Sequence, residues 1–120
     1  MFDRNRIKNL INEGERLVPG FSHDLNENII HKSSYKFFSE IIACDQAANS
    51  QLDTIRILDV GCGVGHGAHM LSSLSNSTVI GIDNSALAIE FAEQNYGADN
   101  LNFVVAGLGE FIERHERFDY

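Results

Sequence analysis

A glycine-rich segment flanked by two acidic residues is the part of this sequence best suited to bind a small ligand. Gly61, Gly63 and Gly65 alternate with other residues directly after an apolar run. A turn of this kind between a strand and a helix lets the backbone approach a ligand closely and points N–H groups at it. Asp59 precedes the first glycine by two positions, and Asp83 closes the next apolar run about twenty residues further on, where a carboxylate can accept both hydroxyls of a ribose. The pattern therefore predicts a site for a nucleoside-containing ligand.

The elements that must position these residues alternate between strands and helices. Strand patterns cover residues 55–60, 78–82 and 101–105, and helical spacing follows each of them. Asp83-Asn84-Ser85 is typical of a helix N-cap region. Phe118-Asp119-Tyr120 is predicted to begin a fourth strand. Alternation of this kind predicts an α/β fold with a Rossmann-like, doubly wound parallel sheet.

The first part of the chain is predicted to be helical. Apolar residues follow helical spacing over 2–13 and again from about 26 to 48, with a turn at Pro19-Gly20 between them. We therefore divide the chain into an N-terminal helical segment, 1–52, and an α/β part, 53–120. Because the sequence stops inside the predicted fourth strand, we expect the N-terminal portion of a larger domain, able to self-associate through the exposed sheet edge.

Composition narrows the class of partner and the location. The 9 basic and 17 acidic residues give a net charge of −8, and an acidic chain gains nothing from releasing counterions on a phosphate backbone, which disfavours nucleic acid. Two cysteines without a CxxC pair, and no signal peptide, predict the cytoplasm. The apolar runs are too short for membrane insertion. His66 and His69 have no third ligand nearby, so no metal site is predicted.

The two motifs together resemble those of the class I S-adenosylmethionine-dependent methyltransferases. The first motif of that family is an apolar strand, an acid and then GxGxG, matched by residues 58–65, and its ribose-binding acid closes the second strand, as in 79–83. The resemblance implies S-adenosylmethionine as the cofactor, with Asp59 near its ammonium, Asp83 on the ribose and Asn84 beside the adenine. The implied cofactor-binding residues are Asp59, Gly61, Cys62, Gly63, Gly65, Asp83, Asn84, Gly107 and Leu108.

Two further positions qualify the resemblance. Many family members carry an acid after the third strand that contacts the adenine amino group, whereas this chain has Gly107 there and leaves that contact to the backbone of Leu108. Residues 15–20, followed by His31 and Tyr35, resemble the leader of methyltransferases associated with bacterial surface-polysaccharide synthesis, with Ser34 where that pattern usually has arginine.

The resemblance implies methyl transfer to a small-molecule or saccharide acceptor. In this family, the residues that hold the acceptor usually come from the fourth strand onward, so no catalytic residue is assigned and we expect the 120 residues alone to be inactive. A non-catalytic, methyltransferase-like scaffold is the alternative, and Gly107 favours it. A nicotinamide oxidoreductase is disfavoured because His66 stands where the GxGxxG fingerprint has its last glycine.

Overall fold

The computed structural model describes residues 2–12, 18–21, 25–49 and 53–120. It confirms the predicted alternation of strands and helices after a helical N-terminal part. The elements are α1 (Arg4–Asn12), α2 (Leu25–Ala48), β1 (Ile55–Val60), α3 (His66–Ser72), β2 (Ser77–Asp83), α4 (Ala86–Asn95), β3 (Leu101–Val105) and α5 (Leu108–Ile112).

The three strands form one parallel sheet in the order β1-β2-β3. Val60 pairs with Ile82 at the end of β1, and Asp83 pairs with Val105 at the end of β3. The carboxyl ends of all three strands therefore meet at one edge, which is where ligands bind in open parallel sheets.

The predicted beginning of a fourth strand makes one hydrogen-bonded step beside β1. The N–H of Leu58 donates to the carbonyl of Tyr120 at 3.0 Å, and the N–H of Tyr120 donates to the carbonyl of Arg56 at 3.3 Å. These two bonds flank Ile57 in the manner of a parallel pair. Over the described residues the sheet has three strands, and Tyr120 lies on the side of β1 where a fourth was expected.

Both faces of the sheet are covered, as a doubly wound arrangement requires. One face packs against α2, α3 and α4 in a cluster of buried side chains: Ile42, Ile55, Ile57, Cys62, Ala68, Leu71, Val79, Ile89 and Leu101. On the other face, Phe111 of α5 packs with Ile82 and Ala106. The Rossmann-like α/β architecture is thus confirmed.

The two N-terminal helices pack against different parts of the α/β unit. Ile7 and Leu10 of α1 are buried in a cluster with Val64, Ala88 and Phe91, next to the glycine loop and α4.

Ile42 of α2 joins the main core, whereas five large apolar side chains of this helix are exposed: Ile29, Ile30, Phe37, Phe38 and Ile41. Cys44, near the C-terminal end of α2, is also exposed. The boundary at 52 lies outside the described residues and stays a prediction. Among the described residues, no helix is both long and apolar enough to cross a membrane.

Candidate functional site

The glycine loop after β1 has a backbone that favours glycine at all three positions. Gly61, Gly63 and Gly65 have φ angles of 72°, 55° and 88°, a region that side chains with a Cβ rarely adopt. The N–H groups of Gly61 and Cys62 both donate to the carbonyl of Ile82, at 2.8 and 2.9 Å. The loop is therefore tied to the end of β2 at its first turn.

The three glycines have different surroundings. A Cβ at Gly61 or Gly63 would meet nothing within 4 Å, whereas a Cβ at Gly65 would lie 2.6 Å from the Cβ of Ala92 and 2.7 Å from the ring of Phe103. Gly65 thus permits close packing of the loop on α4 and β3. Gly61 and Gly63 leave space in which a ligand could approach the backbone.

The thiol of Cys62 lies in the core. Its side chain is 5% exposed, and its Sγ would stand 3.0 Å from a Cβ built at Gly81. Any contact of Cys62 with a cofactor would therefore come from its backbone.

Asp83 links the second strand to the glycine loop. Its Oδ2 accepts the N–H of Gly63 at 3.0 Å and its Oδ1 accepts the N–H of Ser85 at 2.9 Å, although the residue is only 8% exposed. Ser85 in turn caps α4, since its hydroxyl accepts the N–H of Ala88 at 3.2 Å. The predicted capping region is confirmed, with Ser85 as the N-cap of α4.

A cleft of about 200 Å³ lies at the carboxyl edge of the sheet. Its walls come from the ends of all three strands and the loops after them: Val60, Gly61, Ile82, Asp83, Asn84, Ala106, Gly107 and Leu108. The structure thus brings together five of the nine residues predicted to bind the cofactor. Asp59, Cys62, Gly63 and Gly65 do not line this cleft.

Asp59 lies on the side of β1 that α2 covers. It lines a second cavity, of about 360 Å³, together with His31 and Ser34 of α2 and with Tyr120. The hydroxyl of Tyr35 lies 3.0 and 2.9 Å from its two carboxylate oxygens. Burial raises the pKa of Asp59 to about 6, the negative charge of Asp83 adds to this rise, and the hydrogen bond from Tyr35 opposes it.

Tyr35 was identified in the sequence only as part of the surface-polysaccharide pattern, and its contact with Asp59 was not predicted. His31 and Tyr35 lie one helical turn apart, and their rings pack edge to face at 5.0 Å. Burial and the adjacent Asp59 raise the pKa of the Tyr35 hydroxyl well above its usual range. The hydroxyl therefore keeps its proton at neutral pH and donates a hydrogen bond to Asp59.

The remaining sequence candidates have simpler surroundings. The rings of His66 and His69 lie 5.8 and 5.5 Å from the ring of Tyr96. Among the described residues, no group of three or more potential ligands could hold a metal ion. Residues 15–17 of the surface-polysaccharide pattern lie outside the described residues.

Comparison with known proteins identifies the class. Residues 51–120 match the family model described as a methyltransferase domain. The chain belongs to this family, which confirms the resemblance to class I S-adenosylmethionine-dependent methyltransferases. The cofactor of the class is S-adenosylmethionine. No curated protein matches the chain by sequence.

Solved structures share the fold. The plantazolicin methyltransferase BpumL, in complex with a monoazolic desmethylPZN analog and SAH, is 23% identical, with a TM-score of 0.61 over 97% of this chain and 38% of its own. WbdD is 22% identical, with a TM-score of 0.57 over 81% of this chain and 21% of its own. A SAM-dependent methyltransferase from Agrobacterium tumefaciens is 16% identical, with a TM-score of 0.53 over 74% and 27%. The chain spans about two-fifths of the length of BpumL and a smaller share of the other two proteins.

Proposed function

We propose that this chain binds S-adenosylmethionine with the adenosyl end in the cleft at the carboxyl edge of the sheet. Its activity would then be methyl transfer to a small-molecule or saccharide acceptor. The observation that carries the proposal is Asp83, which lines the cleft together with Gly61 and Leu108 and whose carboxylate accepts the N–H groups of Gly63 and Ser85. Neither cysteine is in a disulfide, which favours the cytoplasm as the location.

The cleft residues suit the adenosyl group. The Asp83 carboxylate accepts the N–H groups of Gly63 and Ser85, and a carboxylate, with about four acceptor positions, is an acceptor suited to ribose hydroxyls. Asn84 and Leu108 are exposed beside it, where an adenine could pack or bond to the backbone. The open space at Gly61 lets the ligand approach the loop backbone.

The amino-acid end would extend along the loop toward Asp59. An ionised carboxylate there attracts the ammonium group, and the side of β1 covered by α2 offers the volume for it. When bound, S-adenosylmethionine supplies a methyl group already activated by its sulfonium. The contribution of these residues is to hold and orient that group for an aligned acceptor.

A non-catalytic scaffold remains the second candidate because of Gly107. At the end of β3 the cleft is lined by Ala106, Gly107 and Leu108, and within its described lining Asp83 is the one acidic residue. Adenine would then be recognised by backbone atoms and by shape alone. Because a scaffold does not depend on tight cofactor binding, such a weakened site is compatible with it.

Calorimetric titration of the purified protein with S-adenosylhomocysteine and, separately, with NAD tests the proposal. We expect S-adenosylhomocysteine to bind and NAD not to bind, because the loop lacks the third glycine of the dinucleotide fingerprint. Binding of NAD alone would indicate an oxidoreductase. Binding of neither ligand would support the scaffold.

A further inference from the structure

One side chain of α2 reaches the end of β1 and contacts a predicted cofactor-binding group. The Tyr35 hydroxyl lies within 3.0 Å of both oxygens of Asp59, across 24 residues of sequence. A single O–H shared between two carboxylate oxygens restricts the rotation of the carboxylate about its Cβ–Cγ bond. The contact therefore fixes the direction in which Asp59 presents its charge.

The position of the Tyr35 ring depends on a glycine in α3. A Cβ at Gly67 would lie 2.0 Å from Cζ and 2.2 Å from Cε2 of Tyr35, so the ring lies directly against the α3 backbone. Gly67 is the second residue of the helix that follows the glycine loop. The ring position is thus set by α3, while the hydroxyl is directed at β1.

The hydrogen bond also favours the charged form of Asp59. Tyr35 from α2 donates a hydrogen bond that lowers the pKa of this carboxyl, and the charge of Asp83 at the end of β2 raises it. Burial raises it further. The titratable side chains of His31 on α2 and of Tyr120 line the same cavity. Because an ammonium is attracted only by the ionised carboxylate, loss of the Tyr35 hydroxyl would weaken the attraction near neutral pH.

We propose that Tyr35 is a positioning residue for the amino-acid end of S-adenosylmethionine. It acts through Asp59, which it orients and keeps ionised, and it does not itself bind the adenosyl group. The inference rests on the proposed function, in which Asp59 faces the ammonium. It also gives α2 a role in cofactor binding, since Tyr35 joins that helix to the glycine-loop unit.

The test compares two ligands that differ in the amino-acid end. Tyr35→Phe keeps the ring on Gly67 and removes only the hydroxyl. We expect its affinity for S-adenosylhomocysteine to fall about three- to tenfold, the range of one net hydrogen bond. Affinity for 5′-methylthioadenosine, which lacks the ammonium and carboxylate, should stay unchanged. Tyr96→Phe is the matched control, because its ring lies by His66 and His69 on α3, away from Asp59, and should affect neither ligand.

A pH series and a double variant complete the design. In Tyr35→Phe, the loss of S-adenosylhomocysteine affinity on acidification should begin at higher pH than in the wild type. In an Asp59→Ala background, Tyr35→Phe should have no further effect. Equal losses for both ligands, or no loss for either, would overturn the role of Tyr35 and leave the proposed function intact. A wild-type protein that binds neither ligand would overturn the proposed function and this inference with it.

Discussion

Replacing Asp83 by alanine should weaken cofactor binding by removing the acceptor for the ribose hydroxyls. The carboxylate is 8% exposed, so a ribose hydroxyl would donate to a charge that is poorly solvated by water. A hydrogen bond to a charged group contributes about 1.5–3 kcal/mol, which corresponds to an affinity about 10- to 150-fold weaker when it is lost.

The structure adds a second effect of the same substitution. Asp83 also accepts the N–H groups of Gly63 and Ser85, at 3.0 and 2.9 Å. Its loss would leave both donors without this acceptor and loosen the glycine loop. The total loss of affinity should therefore exceed the ribose contribution alone, and a change in the ligand is needed to separate the two effects.

Calorimetry with S-adenosylhomocysteine and its 2′-deoxy analogue makes that separation. The wild type should bind the deoxy ligand about 10- to 150-fold more weakly, because one charged hydrogen bond is missing. In Asp83→Ala the two ligands should bind with nearly equal affinity, whatever has happened to the loop. Full discrimination between the ligands in Asp83→Ala would refute the assignment of the ribose to this carboxylate.

Four further substitutions have defined outcomes. Gly63→Val should abolish S-adenosylhomocysteine binding with helical content by circular dichroism retained, since a β-branched residue is poorly suited to φ of 55°; near-normal affinity would mean that the loop is a plain turn. Gly65→Ala should lower the free energy of unfolding in urea by about 2–4 kcal/mol and Gly61→Ala by about 1 kcal/mol, because only the new Cβ at position 65 would clash with Ala92. Equal losses would contradict the packing role of Gly65. In the wild type, the free energy of unfolding should fall as the pH rises from 4 to about 6, because a carboxyl whose folded pKa is raised to about 6 binds its proton more tightly in the folded state. Asp59→Asn should remove this fall, and an unchanged pH profile in urea denaturation would contradict the prediction.

Local patterns predicted the α/β elements and the position of the cleft. The β-branched run before the GxGxG segment forms β1, and the acid that closes the next apolar run lies at the end of β2. Both features determine the structure of residues close to them in sequence. Gly61 and Gly63 adopt positive φ because the turn requires it, and Asp83 stands at the end of β2 because the run of apolar residues ends there. Parallel pairing then places the ends of the strands at one edge, without any information from distant contacts.

The face of α2 that packs on the core could not be predicted in the same way. Apolar residues surround much of this helix, so their spacing indicates a helix without indicating which side is buried. The contact with β1 depends on Tyr35, whose polar end needs Asp59, and on the missing side chain at Gly67. These residues are distant in sequence and their partnership leaves no periodic signal.

Crystallography of the protein soaked with S-adenosylhomocysteine tests the central claim most directly. The ligand should lie across the carboxyl edge of the sheet, with its ribose hydroxyls within hydrogen-bond distance of the Asp83 carboxylate and its adenine between Asn84 and Leu108. Its ammonium should lie on the Asp59 side of the glycine loop. Density for the ligand at another place, with the cleft between Gly61 and Leu108 filled only by solvent, would contradict the claim.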